Sequence, residues 1–280
     1  MRMVNYSNIS VVIPNIGEKS LLQVVNKLNI GVLKPKEIIL VTPKLYLCNL
    51  NDFKFDKNVK ILDCSVASQV EQRIIGFKNS KYDLVMQLDA DIIFENETLL
   101  NLVKCIKKNK DSVAVGPYYK KSIKSKSNFL KNFLFKFFIN REKNRIVWDS
   151  WFFDDYKNND IDEFSTRWLP GGCIIFRKNN LILNSYYPYQ GKAFDEDLLH
   201  SVILRNKGVN LIHCGKAHCY SLEDTYEHKE FSVLLKYIFR VFTVKNEVRR
   251  LGNGNLIFFY VWYLYWLINE MIRYIKNYFR

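Results

Sequence analysis

The feature that most constrains the fold is an alternation of short apolar runs with helix-like segments over the first 117 residues. The apolar runs, each of strand length, are residues 9–13, 37–41, 59–62, 84–88 and 113–115. Between them apolar residues recur at helical spacing, as at Leu99, Leu102, Val103 and Ile106. Strands separated by helices predict βαβ units. The sequence therefore predicts an α/β fold with a Rossmann-like, mostly parallel central sheet flanked by helices.

Composition indicates a folded chain in a reducing compartment. Of 280 residues, 48% are hydrophobic and 25% charged, which is the balance of a globular protein and not of a disordered one. The six cysteines include no CxxC pair, so neither a zinc ribbon nor a thioredoxin-like motif is supported. No secretory signal is recognised near the start. We expect free thiols and a cytoplasmic protein.

The charge favours partners that carry phosphate. Lys and Arg number 42 against 28 Asp and Glu, a net charge of +14, and aromatic residues reach 15%. Such a surface attracts nucleotides, nucleic acid or anionic lipid headgroups. Composition alone does not choose among these three.

Two acidic clusters are candidates for chemistry. Asp89 and Asp91 directly follow the run at 84–88, and ligands of parallel sheets bind at the carboxyl ends of the strands. Paired carboxylates there suit Mg²⁺ or Mn²⁺, although a lone DxD is also common in solvated turns. Asp195, Glu196 and Asp197 stand where a helix is predicted to begin. They supply either a favourable interaction with the helix dipole or a general base.

Residues 213–219 hold two His and two Cys, but their spacing matches no structural zinc pattern. His218 could instead be a satisfied loop residue or a ligand that completes the Asp91 site. Gly171 and Gly172 form either a turn or a close backbone approach to a ligand.

The order of these motifs resembles the family 2 glycosyltransferases of GT-A fold. The segments that carry the resemblance are residues 10–14, 69–76, 88–91, 169–177, 196–208 and 217–221. They are similar, in that order, to the family's first strand, its Arg-containing helix, its DxD motif, its acceptor loop, its ED helix and its later His segment. The match covers roughly residues 9–221.

The resemblance implies an inverting transfer of a sugar from a nucleotide sugar, with Mn²⁺ or Mg²⁺ and without a nucleic-acid partner. It implies that Asp91 and His218 bind the metal and that Asp89 helps to hold the metal or the ribose. Asp197 would be the general base, with Glu196 beside it. The residues implied to line the nucleotide pocket are Pro14, Asn15, Glu18 and Arg73.

Two departures from the family pattern stand out. Residues 40–44 contain no acidic residue after the second strand, which leaves the uracil contact and the identity of the donor base open. Residues 15–18 replace the usual turn after the first strand with Asn-Ile-Gly-Glu.

Two other functions remain open from the sequence. A sugar-1-phosphate nucleotidylyltransferase also pairs such a sheet with a metal carboxylate, but residues 14–17 lack its Gly-rich loop. A non-catalytic membrane or nucleic-acid binder on a decayed transferase scaffold would fit the charge. We expect a nucleotide-sugar half (1–117), an acceptor-binding and catalytic half (118–221) and a C-terminal helical segment (222–280).

The C-terminal segment is predicted to lie at a membrane surface. The 13-residue run 256–268 has no charge and five Tyr or Trp, and it is shorter than the roughly 20 residues of a spanning helix. Arg249 and Arg250 precede the run, and Arg273, Lys276 and Arg280 follow it, as anionic lipid would favour. The alternative is a helix packed on protein. A basic amphipathic helix is also predicted at 129–138, and the acceptor is expected to be a glycan or a lipid-linked glycan.

Overall fold

The computed structural model describes residues 5–109, 112–119, 162–222 and 230–278. The helix predicted at 129–138 lies outside these residues. The strands are β1 (Asn5–Pro14), β2 (Leu33–Pro43), β3 (Val59–Cys64), β4 (Leu84–Leu88), β5 (Ile92–Phe94), β6 (Val113–Tyr119), β7 (Glu163–Thr166), β8 (Cys173–Arg177) and β9 (Asn210–Ser221). The helices are α1 (Lys19–Ile30), α2 (Gln69–Lys78), α3 (Thr98–Lys108), α4 (Glu196–Asn206), α5 (Phe231–Leu251) and α6 (Leu256–Tyr278). The five strands predicted in the first half are confirmed as β1 to β4 and β6.

The described strands form one sheet in the order β3-β2-β1-β4-β8-β6-β9-β5, with β7 also paired to β9. Strands β3, β2, β1 and β4 are mutually parallel. Beyond β4 the sheet is mixed, because β8 runs antiparallel to both β4 and β6. The predicted α/β fold is confirmed: the sheet is parallel in its first half, and in its second half a parallel pairing of β6 with β9 stands beside antiparallel ones.

Burial explains why the first strands read as continuous apolar runs. Every residue of β4 is buried, and helices cover both faces of this part of the sheet. Helix α2 approaches β1 closely at Gly76, where an added Cβ would collide with Val12. Its first turn is capped by Ser68, whose hydroxyl accepts from the Glu71 N–H at 3.5 Å.

Two differences from the sequence prediction concern the second half. The predicted strand at 209–212 extends to Ser221, so His213 and His218 lie in a strand and not in a loop. The apolar run 256–268 belongs to a longer helix, α6, of 23 residues. Within the described ranges, no helix is both long enough and apolar enough to cross a bilayer. All six cysteines have free thiols, as predicted.

Candidate active site

A cleft of about 330 Å³ opens where β1, β2 and β4 end. Its lining includes five predicted site residues: Pro14, Asn15, Glu18, Asp89 and Asp91. Its lining also includes side chains that sequence reasoning did not select: Ile16, Tyr46, Gln69, Gln72 and Lys192. The carboxyl ends of the parallel strands thus meet at one polar cleft, as the fold requires.

The turn after β1 is held by Asn15, which is 2% exposed. Its side-chain oxygen accepts from the Thr42 hydroxyl at 3.0 Å, and its backbone carbonyl accepts from Gln72 Nε2 at 2.9 Å. Gln72 also donates to the Val41 carbonyl at 2.6 Å. Thr42 therefore ties the end of β2 to the altered turn at 15–18, in the segment where the family usually has an acid.

Arg73 connects the cleft to the second acidic cluster. Its guanidinium donates to Asp89 Oδ1 at 2.6 Å and, through another nitrogen, to Glu196 Oε1. Burial alone would lower the pKa of Arg73, but the Asp89 and Glu196 carboxylates raise it above its ordinary value. Arg73 is 1% exposed and is not among the residues that line the cleft. The prediction that Arg73 lines the pocket is therefore corrected, because Asp89 and Glu196 hold its side chain beneath the residues that line the cleft.

Glu196 is enclosed on every side. Its second oxygen accepts from the Tyr186 hydroxyl at 3.1 Å, and a Cβ added to Gly171 would lie 2.5 Å from its first oxygen. Burial, followed by the charge of Glu196, raises the pKa of the Tyr186 hydroxyl well above its usual range. The Tyr186 ring stacks on His200, whose pKa burial lowers to about 3. Both oxygens of the Glu196 carboxylate are thus engaged by partners within the protein, Arg73 and Tyr186.

Asp197 is the member of the acidic cluster whose pKa is raised. Burial, and then the charges of Glu196 and Asp195, raise its pKa to about 7. Two backbone hydrogen bonds lower this pKa: one from the Leu198 N–H, which donates to Asp197 Oδ1 at 3.0 Å, and one from Gly171. A carboxylate whose pKa lies near neutrality is well matched to proton abstraction from a hydroxyl.

Asp91 and His218 do not meet. Strand β5 pairs antiparallel with β9, so that the Asp91 carbonyl accepts from Leu222 N while Glu95 N donates to the His218 carbonyl. The two residues are thus four positions apart along the ladder, about 13 Å. His218 Nδ1 lies 3.3 Å from Glu95 Oε2, and Asp91 Oδ2 accepts from Ser221 Oγ at 2.8 Å. The prediction that His218 completes the Asp91 metal site is therefore corrected.

Within the described residues, no group of three or more His, Cys, Asp and Glu side chains is arranged to hold a metal ion. Asp89 and Asp91 still share the cleft, and carboxylate oxygens are what Mg²⁺ and Mn²⁺ prefer.

Two site features were missed from the sequence. Lys192 reaches the cleft because Gly191, at φ +82°, pairs with the Ala67–Gln69 backbone next to α2. Lys245 of α5 lies 3.7 Å from Asp195 Oδ2, beside the acidic cluster. No local signal marks either lysine in a chain with 42 basic residues.

Comparisons with known proteins agree with this geometry. The family profile described as Glycosyl transferase family 2 matches residues 10–181, which is more than half of the chain. The chain belongs to this family and has the GT-A fold. No curated protein sequence matches it.

Three solved structures share the fold at low identity. GalNAc-T7 with UDP, GalNAc and Mn²⁺ has a TM-score of 0.55 and 15% identity, over 79% of this chain and 44% of that one. The mannosyltransferase PcManGT of Pyrobaculum calidifontis, with GDP-Man and Mn²⁺, has a TM-score of 0.54 and 12% identity, over 86% of this chain and 62% of that one. TarS 1-349 of S. aureus with UDP-GlcNAc has a TM-score of 0.51 and 16% identity, over 84% of this chain and 65% of that one. The chain therefore spans less than two thirds of the length of each.

Proposed function

We propose that this protein is a metal-dependent, inverting glycosyltransferase that moves a sugar from a nucleoside diphosphate sugar to a hydroxyl acceptor. The observation that carries the proposal is the Arg73 bridge. One buried guanidinium joins Asp89 of the cleft to Glu196, whose neighbour is Asp197. Donor cleft and candidate base are therefore parts of one centre.

In this mechanism Asp197 accepts the proton of the acceptor hydroxyl while the hydroxyl oxygen bonds to the anomeric carbon. The bond from that carbon to the diphosphate oxygen breaks on the opposite face, so the configuration inverts. Glu196, bound by Arg73 and Tyr186, keeps Asp197 in a negative environment and does not itself take the proton.

The diphosphate needs positive charge at the cleft. Asp91 and Asp89 are the residues that would hold Mn²⁺ or Mg²⁺, with the remaining ligands from phosphate and water. When bound, such an ion neutralises charge that develops on the leaving diphosphate. Lys192, which lines the same cleft, would add a second positive charge toward the phosphates.

The donor base stays open. GalNAc-T7 and TarS are solved with UDP or UDP-GlcNAc, and PcManGT with GDP-Man. Residues 40–44 at the end of β2 include no acid that could contact the donor base. The hydroxyl of Thr42 in this segment donates to Asn15. Pro14, Asn15 and Glu18 would line the nucleotide side of the cleft. The nucleotide-sugar half (1–117), the acceptor half (118–221) and the C-terminal segment (222–280) remain predictions.

A screen of nucleotide sugars for metal-dependent hydrolysis tests the proposal and identifies the donor. Calorimetric titration with UDP and with GDP, each with and without Mn²⁺, would show whether nucleotide affinity requires the ion. A protein that binds neither nucleotide, with or without metal, would contradict the proposal and favour a non-catalytic scaffold.

We also propose a partner for the C-terminal helices, namely an anionic membrane surface. Helix α6 packs on α5 through Phe259, which contacts the ring of Phe242 with centroids 5.6 Å apart. Its opposite face leaves apolar side chains exposed at helical spacing: Ile257, Val261, Leu264, Ile268, Ile272 and Ile275. Residues 230–278 carry seven Lys or Arg against three Glu, a charge that complements anionic lipid. A lipid-linked glycan as acceptor, presented at the inner face of the membrane, would fit such a surface.

A further inference from the structure

We propose that Lys245 of α5 is a positioning residue for catalysis: it neutralises Asp195 and thereby sets the proton affinity of the base Asp197. The inference rests on the proposed role of Asp197. It concerns a residue outside the part of the chain that the family profile matches, since that part ends at residue 181.

Lys245 is a buried cation, only 4% exposed. Its ammonium lies 3.7 Å from Asp195 Oδ2 and 4.4 Å from the ring centroid of Trp262 on α6. Lysines on a surface helix normally extend the ammonium into water, and burying it carries a desolvation cost. A lysine buried between two helices and an acidic cluster is therefore placed there by specific partners, here the Asp195 carboxylate, the Trp262 ring and the nearby charge of Glu270.

Asp195 is itself held in an uncommon state. Its backbone has φ +54°, the left-handed region that non-glycine residues seldom adopt, and it stands directly before Glu196. Such a conformation persists only where the surroundings determine it. Asp195 thus fixes the direction in which α4 begins and, with it, the place of Asp197.

Helix α5 holds the segment that precedes Asp195 at further points. Arg240 donates to the Gln190 carbonyl at 3.4 Å and lies over the Tyr189 ring at 5.1 Å. Tyr237 contacts the Phe194 ring, with centroids 5.0 Å apart. Lys245, with Arg240, is thus one of two cations in a set of α5 contacts that runs along residues 189–195.

The charges around Asp197 give the expected effect its sign. Asp195 and Glu196 both raise the pKa of Asp197, while the backbones of Leu198 and Gly171 lower it. Arg73 and Tyr186 bind Glu196, and Lys245 faces Asp195. On the α6 side, Glu270 is paired with Arg273 at 2.9 Å, and the charge of Lys245 also lowers the pKa of Glu270. Removing the Lys245 charge leaves Asp195 uncompensated, which makes ionisation of Asp197 harder.

The experiment compares pH–rate profiles of donor hydrolysis for the wild type, Lys245→Met, Lys245→Arg and Asp195→Asn. Lys236→Met, an exposed lysine of the same helix, is the matched control. For Lys245→Met we expect the acid limb of the kcat profile to move to higher pH by about one unit. At pH values below that limb, kcat should therefore fall about tenfold relative to the wild type. Donor KM should stay unchanged, and Lys245→Arg should retain most of the wild-type profile.

Asp195→Asn gives an independent arm that does not depend on the folding of Lys245→Met. Because it removes a negative charge near Asp197, its acid limb should move to lower pH. The double variant Lys245→Met/Asp195→Asn should follow Asp195→Asn. An active wild type whose acid limb is unmoved in both Lys245→Met and Asp195→Asn would overturn this inference alone. A wild type inactive toward every nucleotide sugar would overturn the proposed function as well.

Discussion

Asp89 and Glu196, which lie in different halves of the chain, are held by the same buried guanidinium, that of Arg73. Removing one partner of a buried charge network is far costlier than removing all of it, because the remaining charges lose their compensation. This relationship makes Arg73 a structural connection between donor cleft and base, and it leads to the first prediction.

Arg73→Met should lower the free energy of unfolding by about 3–5 kcal/mol, since it leaves the buried Glu196 and the partly buried Asp89 without their shared cation. Urea denaturation followed by circular dichroism measures this loss. The triple variant Arg73→Met/Asp89→Asn/Glu196→Gln should recover a large part of it, because no uncompensated charge remains. If Arg73→Met matches the wild type, the bridge contributes nothing to stability.

Asp197→Asn should reduce kcat by about 10²–10⁴-fold with donor KM retained, which is the usual contribution of a general base. Steady-state kinetics of sugar transfer or donor hydrolysis provides the measurement. Glu196→Gln is the comparison, because Glu196 is engaged by Arg73 and Tyr186. An inactive Glu196→Gln beside an active Asp197→Asn would reverse the assignment of the two carboxylates.

The raised pKa of Asp197 also predicts a pH-dependent gain in stability on substitution. Its folded-state pKa of about 7 lies above the ordinary value of 3.8, so its stabilising contribution is complete at low pH and is lost as pH rises through 7. Asp197→Asn, which cannot ionise, should therefore melt at a higher temperature than the wild type at pH 8. The difference in melting temperature should vanish near pH 4. Asp52→Asn, at an exposed position, is the control and should not raise the melting temperature at pH 8.

Asp91→Asn should abolish the Mn²⁺-dependent part of nucleotide affinity and leave the fold intact. The structure separates His218 from this carboxylate, so His218→Gln should keep metal-dependent binding. Titration calorimetry of both variants, with the nucleotide that the wild type binds best, decides between them. Unchanged metal-dependent affinity in Asp91→Asn would remove Asp91 from the site.

The exposed face of α6 gives a membrane prediction. The triple variant Ile257→Ser/Leu264→Ser/Ile268→Ser should be released from anionic liposomes in a sedimentation assay while donor hydrolysis survives. Deleting residues 255–280 is a less clean test, since it removes Trp262 from Lys245. Wild-type protein that stays in the supernatant with such liposomes at low salt would contradict the lipid partner and favour a protein that covers this face.

The sequence by itself determined the elements whose signals are local. Apolar runs of strand length predicted β1 to β4 and β6, because strands covered on both faces, such as β4, carry no polar side, although β3 at the edge of the sheet is largely exposed. The order of the motifs predicted the GT-A fold and the family. Asp89 and Asp91, selected from their place at a strand end, and Asn15, selected from the resemblance, line one cleft.

Only the tertiary structure decided which distant side chains meet. The register of β5 on β9 separates His218 from Asp91, and a register is set by pairing over the whole sheet and not by the motif around His218. The burial of Arg73 between Asp89 and Glu196, and of Lys245 beside Asp195, depends on how α2 and α5 pack. Electrostatic partners in a chain with 70 charged residues cannot be assigned from spacing, because contact and desolvation arise only when the helices dock on the sheet.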